Sequence, residues 1–349
     1  MESLWDYPDF DEHELVHFVT DRKTGLRAVI AVHSTHLGPG AGGTRLWHYA
    51  DEDLAITDAL RLSRGMSYKN AMAGLPLGGG KAVVMVDGRT PKSPRLLEAF
   101  GRLVDSLEGR YITAEDVGAT VSDMEVVATQ TAYVSGLPRT AVDADGNPAP
   151  KTALGVYLGI KAAVQFQLGR SSLRGVTVGV QGLGGVGHAL CGLLAEDGAS
   201  LRVADVRAEA VQRVCKEFDA LASQPNEILF ERVDVLSPCA LGAVFDSNTI
   251  PRLQAAIIAG AANNQLATAA DGARLHAAGV LYAPDYVINA GGIISVGREY
   301  LGGASAASIE AEISRIPERL TEIFARSRAE NRPTSDIADE LAKRLITQA

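Results

Sequence analysis

The stretch Val176-Thr-Val-Gly-Val-Gln-Gly182-Leu-Gly184-Gly-Val-Gly187-His-Ala-Leu-Cys-Gly-Leu-Leu-Ala195, followed by Leu201-Arg-Val-Ala-Asp205, decides the fold of this chain. Val176–Val180 is an apolar, β-branched run that reads as a buried strand, and His188–Ala195 reads as an apolar helix. Three glycines join them. Gly182 permits a tight turn, Gly184 lets backbone N–H groups approach a pyrophosphate, and Gly187 lets helix and strand pack closely. Asp205 stands 23 residues after Gly182, at the end of a second strand, where a carboxylate hydrogen-bonds adenosine ribose hydroxyls. The same carboxylate repels a 2′-phosphate, which favours NAD over NADP. Arg207, two residues on, would suit that phosphate, but an arginine after a strand end reads more plainly as solvated.

At 349 residues the chain is long enough for two domains with a full core each. A net charge of −9, a pI of about 5.3 and the absence of clustered Lys and Arg argue against nucleic-acid and membrane partners. Cys191, Cys215 and Cys239 are odd in number and widely spaced, so neither a disulfide framework nor a metal site is indicated. The acidic stretch Met1–Asp9 lacks the basic-then-apolar order of a signal peptide, and no run approaches the ~18 apolar residues of a membrane span. A soluble, cytoplasmic protein is expected.

Residues 1–140 read as an α/β unit, with strands over Leu26–Val32, Lys81–Val86 and Arg110–Thr113 and helices over Asp53–Ser63 and Leu96–Leu107. The turn-rich Ala141–Pro150 marks a domain boundary. Residues 141–303 read as a Rossmann-type, doubly wound NAD-binding domain, continuing with strands over Ala256–Ala259 and Val280–Ala283. From Ala304 onward the pattern is helical, and this segment is expected to pack back on the first domain, so that 1–140 and 304–349 together form the substrate domain. The fold class is α/β.

Outside the fingerprint, four polar clusters sit beside glycine-rich turns: Gly38-Pro-Gly-Ala-Gly-Gly-Thr-Arg45, Met66-Ser-Tyr-Lys69-Asn70, Gly78-Gly-Gly-Lys81 and Thr113-Ala-Glu-Asp116-Val-Gly118. Most lysines are solvated surface residues. Lys69 lies among Met66, Tyr68, Ala71 and Met72, and Lys81 opens the apolar run Ala82-Val-Val-Met85, so both read as held near an interior surface. A lysine that loses solvation drops in pKa, to ~7–8 in favourable cases, and can then shuttle protons. Asp116 can keep such a lysine charged or exchange protons itself; read alone, it is a cap or turn acid.

These clusters, together with Gly260-Ala-Ala-Asn-Asn264 and Ala283-Pro-Asp-Tyr-Val-Ile-Asn-Ala-Gly-Gly292, resemble the superfamily of glutamate, leucine, phenylalanine and valine dehydrogenases. The resemblance covers nearly the whole chain, in order, and is closest to the leucine and valine branch. It implies that Lys69 pairs with a substrate α-carboxylate, with Asn263 nearby. Lys81 would act as general acid/base for water addition to an imine carbon, and Asp116 would exchange protons at the substrate nitrogen. The implied reaction is reversible oxidative deamination of an L-amino acid by NAD⁺. Gly42, Ala41, Gly78, Ala114, Ile293 and Val296 would line the substrate. The cofactor would lie on Gly182, Gly184, Gly185, Val186, Gly187, Asp205 and Val206, with its nicotinamide end held by Asn263, Asn289 and the backbone near Cys239 and Ala240. Members place substrate in a cleft between domains that closes to exclude water, and most are homo-oligomers.

Side-chain specificity turns on few positions. Glutamate enzymes carry lysine where this chain has Ala41, which disfavours glutamate, and leucine enzymes carry leucine there, so Ala41 widens the pocket. Ala114 matches the aliphatic branch, and Ile293 is bulkier than the alanine of some phenylalanine enzymes. Leucine, valine and isoleucine are expected, with phenylalanine as the alternative; one or two methylenes discriminate by only ~1–3 kcal/mol. A 2-hydroxy acid dehydrogenase would need a histidine base, and His33, His36 and His48 show no evident acid partner. A non-catalytic NAD-binding sensor predicts the loss of Lys69, Lys81 or Asp116, and all three are present.

Overall fold

Alternation of apolar residues on a strand covered on both faces builds the first of two sheets. In a computed structural model, which describes residues 3–88, 90–137, 147–240, 242–302 and 305–348, that sheet contains β1 (Leu15–Asp21), β2 (Leu26–Ser34), β3 (Gly40–Ala41), β4 (Thr44–Trp47), β5 (Gly78–Met85) and β6 (Tyr111–Ile112). The strand order is β1-β2-β5-β3-β6, with β4 also paired to β5. The helices of this part are α1 (Glu52–Ala73), α2 (Pro94–Asp105) and α3 (Val121–Ala128). On β2, Leu26, Ala28, Ile30 and Val32 join a core with Leu96, Phe100 and Val104 of α2, while Val29 and Ala31 pack with Ala55, Ala59 and Leu60 of α1. Both faces are therefore apolar, as a strand with period-two side chains and two covers requires.

Helix α1 runs ten residues past the expected end at Ser63, to a left-handed Gly74 cap. From Ser63 on, its buried face mixes Ser63, Ser67 and Asn70 with Tyr68, Ala71 and Met72, so polar residues interrupt the apolar period while the helix continues. Strand β5 likewise starts at Gly78, earlier than expected. A Cβ at Gly79 would lie 2.1 Å from the Ser67 backbone nitrogen, so only glycine lets the strand pass this close to α1.

The second sheet is parallel throughout, from β7 (Thr177–Gln181), β8 (Ser200–Ala204), β9 (Leu221–Ala222), β10 (Val235–Pro238), β11 (Ile257–Ile258) and β12 (Leu281–Tyr282) in the order β12-β11-β10-β7-β8-β9. The helices of this part of the chain are α4 (Ala149–Leu168), α5 (Gly185–Glu196), α6 (Ala208–Phe218), α7 (Ala270–Ala277), α8 (Asp285–Ile288), α9 (Gly291–Leu301), α10 (Ala306–Ile313), α11 (Ile316–Glu330) and α12 (Thr334–Gln348), of which α9 and α12 are divided between the two units. The chain winds outward from β7 through β8 and β9, then returns to β10 on the other side of β7. Between the carboxyl ends of β7 and β10 lies the crevice in which open α/β sheets bind ligands.

The chain divides into two compact units, Met1–Gly146 with Val296–Ala304 and Ala342–Ala349, and Asn147–Ser295 with Ser305–Leu341. The boundaries expected at 140/141 and 303/304 lie outside the described residues. The terminal helices divide as well. Residues 305–341 cluster with the second unit, where α11 lies on α4: Gly155 and Gly159 leave room for Ile316 and Leu320, and Phe166 meets Phe324 at 5.4 Å. Packing on the first unit, expected of the whole terminal run, is carried by its last turns, 342–349. No helix among the described residues is long and apolar enough to cross a membrane.

Candidate active site

Strand β5 carries Lys81 into the first unit's interior, where it is only 5% exposed. Its Nζ lies 3.0 Å from Asp116 Oδ2. Asp116 sits in the loop after β6, which is tied to β4 by the Thr44 N–H donating to the Ala114 carbonyl at 2.8 Å and the Leu46 N–H to the Val117 carbonyl at 2.9 Å. Arg45, on β4, donates through Nε to the same Asp116 oxygen at 3.1 Å and through Nη1 to Asp58 Oδ2 at 2.8 Å. The Tyr49 hydroxyl donates to Asp58 Oδ2 at 2.6 Å.

Burial pushes the Lys81 amine below its ordinary pKa, and the attraction of Asp116 only partly offsets this. For Asp116, burial acts to raise the pKa, but Lys81 and Arg45 outweigh it and hold the carboxyl below the usual range. An ionised carboxylate, partly open to solvent, thus stands against a buried lysine whose pKa is lowered, an arrangement suited to proton transfer.

Beside this pair, Ala41 and Gly42 run along β3 and its end, between β5 and β6, with Gly40 opposite Gly78 and Ala41 opposite Ile112. Both are buried, as is Gly78. The buried Asn70 Nδ2 donates to the Gly78 carbonyl at 2.6 Å, and the buried Tyr111 hydroxyl to the Gly42 carbonyl at 2.7 Å, so side chains fix the backbone of this wall. Lys69, one residue before Asn70 on α1, is half-buried, as are Ala114 and Val296.

In the second unit the glycine turn follows β7 at the crevice. Gly182 has φ +93°, and a Cβ there would lie 2.7 Å from the Ala240 Cβ; a Cβ at Gly187 would lie 1.9 Å from the Gly182 carbonyl oxygen. At Gly184 a Cβ would meet nothing within 4 Å, and α5 begins there, with Gly185 and Val186 in its first turn and no side-chain cap. Open space before uncapped N–H groups is a cradle for a pyrophosphate. Asn289 supplies a second fit. Its Nδ2 donates to the Ala261 carbonyl at 3.0 Å and to Asn263 Oδ1 at 2.8 Å, which fixes the amide's orientation. Its Oδ1 is buried and, among the described residues, has no hydrogen-bond partner, which makes it an acceptor suited to a carboxamide N–H₂. Cys239 and Ala240 follow β10 across the crevice from Gly182.

Asp205 is placed at the end of β8, as expected, and its carboxylate is engaged. Oδ2 accepts the Leu183 N–H at 2.7 Å, and Oδ1 accepts the Arg207 N–H at 2.8 Å and Nε at 3.2 Å. Burial acts to raise its pKa, yet these donors hold it below the usual carboxylate range. Arg207 is thus a partner of Asp205, not merely solvated, while Val206 is largely exposed. Lys69, Ala41, Gly42, Gly78, Lys81, Ala114, Asp116 and Val296 belong to the first unit; the glycine turn, Asp205, Cys239, Ala240, Asn263, Asn289 and the half-buried Ile293 belong to the second.

Sequence reasoning gave no role to Arg45, Asp58, Tyr49 or Asn70. Arg45 and Asn70 lie inside clusters singled out by their glycines, but Asp58 and Tyr49 carry no local signal. His33, read as lacking an acid partner, has its Nε2 3.6 Å from Asp11 Oδ2, a pairing made by tertiary packing.

Comparison with known proteins supplies the family. Residues 13–133 match the family described as "Glu/Leu/Phe/Val dehydrogenase, dimerisation domain", and residues 201–336 match "Glutamate/Leucine/Phenylalanine/Valine dehydrogenase". The chain is 47% identical to a leucine dehydrogenase of Geobacillus stearothermophilus, over 99% of this chain and 93% of that one. It is 46% identical to a valine dehydrogenase of Streptomyces virginiae, over 98% and 96%. Among solved structures, L-tryptophan dehydrogenase from Nostoc punctiforme superposes with a TM-score of 0.86 at 44% identity, over 96% of each chain. With a Rossmann-type crevice in one unit and a buried lysine ion-paired to an aspartate in the other, the chain belongs to the glutamate/leucine/phenylalanine/valine dehydrogenase family.

Proposed function

We propose that the protein catalyses reversible, NAD-dependent oxidative deamination of branched-chain L-amino acids to the 2-oxo acid, ammonium and NADH. The observation that carries this reading is the buried Lys81 Nζ, 3.0 Å from Asp116. Lys69 would hold the substrate α-carboxylate, with Asn263 nearby. When bound, the nicotinamide supplies the hydride acceptor for Cα. Lys81 then takes and returns the protons that accompany water addition to the imine carbon, and Asp116 handles the proton on the substrate nitrogen. The preference for NAD is supported by Asp205, whose ionised carboxylate opposes a 2′-phosphate. The first unit is proposed as the substrate domain and the second as the cofactor domain, in a homo-oligomer of the cytoplasm. Self-association is supported by the match to a family described as a dimerisation domain.

NADH formation from a panel of L-amino acids at mildly alkaline pH tests the assignment, with NADP⁺ in parallel. Leucine and valine are expected to lead, with NAD⁺ only. The small, buried Ala41 favours a second reading, an aromatic substrate, which phenylalanine leading the panel would establish. Lys81→Ala is expected to abolish turnover while NADH binding, read by fluorescence titration, persists. Near-wild-type turnover would remove Lys81 from the mechanism.

A further inference from the structure

Both cations at Asp116 meet the same oxygen. Lys81 Nζ is 3.0 Å and Arg45 Nε 3.1 Å from Oδ2, and among the described residues no hydrogen bond or ion pair reaches Oδ1. Arg45 does not reach in from solvent. Its side chain is 22% exposed, and its far end is ion-paired to Asp58 Oδ2, which also accepts the Tyr49 hydroxyl. The planar guanidinium therefore bridges a carboxylate on α1 and one in the loop after β6 in a fixed geometry that a flexible ammonium would not reproduce.

We infer that Arg45 is a positioning residue for the reaction proposed above: braced by Asp58 and Tyr49, it pins Asp116 Oδ2 beside Lys81 Nζ and leaves Oδ1 to the proton of the substrate nitrogen. A carboxylate bonded to one cation can turn about its Cβ–Cγ bond and exchange its oxygens. A second donor on the same oxygen, anchored from behind, prevents that exchange. The inference rests on the catalytic reading of Lys81 and Asp116 and adds what orients them. The groups facing Asp116 are Lys81 from β5 and Arg45 from β4, with Asp58 of α1 behind the arginine; Tyr111 of β6 is buried and kept protonated. Arg45 acts in one direction on both partners, since its charge favours ionised Asp116 and disfavours charged Lys81.

Arg45→Gln keeps hydrogen-bonding capacity and removes the charge. It is expected to lower kcat by about tenfold or more with the amino-acid KM little changed, as misplacement of a catalytic group does. The acid limb of the kcat/KM pH profile should move up by about one pH unit, because loss of the cation raises the pKa of either titrating partner. Arg45→Lys should return the limb towards its wild-type position without restoring kcat. If Arg45→Gln does not fold, Asp58→Asn, which leaves the arginine without its brace, is expected to lower kcat at retained KM. Wild-type kcat and acid limb in whichever variant folds overturns the inference. Asp116→Asn separates it from the reading beneath: wild-type turnover there removes the catalytic role of Asp116 and the positioning role with it, whereas lost turnover there with a wild-type Arg45→Gln removes the positioning role alone.

Discussion

Ala41 is where a single methyl sets the room left for a substrate side chain. It is 6% exposed on a two-residue strand whose neighbours on both sides are fixed by hydrogen bonds to the backbone, so the wall does not yield when the residue grows. Ala41→Leu is expected to lower activity on phenylalanine more than on valine, by a difference of ~1–3 kcal/mol in transition-state binding. Equal losses of kcat/KM on the two substrates would place Ala41 outside the side-chain pocket. At this scale the burial of Lys81 was legible, because a charged residue opens an apolar strand, whereas Asp116, read alone, was a cap or turn acid and took its role from the family resemblance. The bracing of that pair was not legible. Arg45 meets Asp58 and Tyr49 only once α1 has packed on the sheet, and no spacing along the chain announces it. The pairing of Asp205 with Arg207 was within reach of local reasoning, since the two are neighbours on one strand end, but solvation was the plainer expectation for an exposed arginine.

Two glycines of the first unit show how far an element's tolerance depends on what faces it. A Cβ at Gly42 would lie 1.9 Å from the Gly80 carbonyl oxygen, whereas one at Gly65, in the middle of α1, would meet nothing within 4 Å. Gly42→Ala must therefore push β3 off β5 and is expected to destabilise by a few kcal/mol. Gly65→Ala should stabilise by ~0.5–1 kcal/mol through lower chain entropy in the unfolded state. Denaturant midpoints of the two variants check both, and a Gly42→Ala as stable as wild type would contradict the close approach. Elements were readable where apolar residues formed a continuous run, as in β2 and α5, or recurred on one helical face, as in α2. Strand β1 was not named because His17, Thr20 and Asp21 break its pattern, and β10 because four residues ending in Ser237-Pro238 carry too little periodicity. The end of α1 was hidden for the opposite reason: its serines are buried and bonded to histidines, Ser67 Oγ lying 2.8 Å from His33 Nδ1 and Ser63 Oγ 3.0 Å from His13 Nε2.

For the molecule as a whole, those two histidines add an acid sensitivity that begins near pH 6.5, above the range in which the ion-paired carboxylates take up protons. Burial pushes the His33 imidazole from 6.5 down to about 4, with the neighbouring His13 ring adding to the effect, and burial lowers His13 as well. The unfolded chain takes up protons first. Their contribution to stability is therefore full above pH 6.5 and is lost as pH drops from 6.5 towards 4, with His33 accounting for on the order of 3 kcal/mol across that window. Thermal unfolding at pH 7 and pH 5 should show a smaller drop for His33→Gln than for wild type; an equal drop would remove His33 as a source. The two-unit α/β plan was legible from the glycine turn and the strand–helix alternation, and a return of the chain to the first unit was expected from 304 onward; how the last helices divide between the units was not legible, because it depends on which surfaces they meet. That interleaving has a consequence for how the protein is made. The first unit draws on residues 296–304 and 342–349, and its closing turns include the buried Ala342 and Ile346. On the ribosome, the first 146 residues emerge early but lack pieces of their own core until nearly 200 more have been translated. A nascent first unit must wait with that surface uncovered until residues 342–349 are made, and a chain stopped before Ala342 would leave the earliest-made part of the protein unfinished.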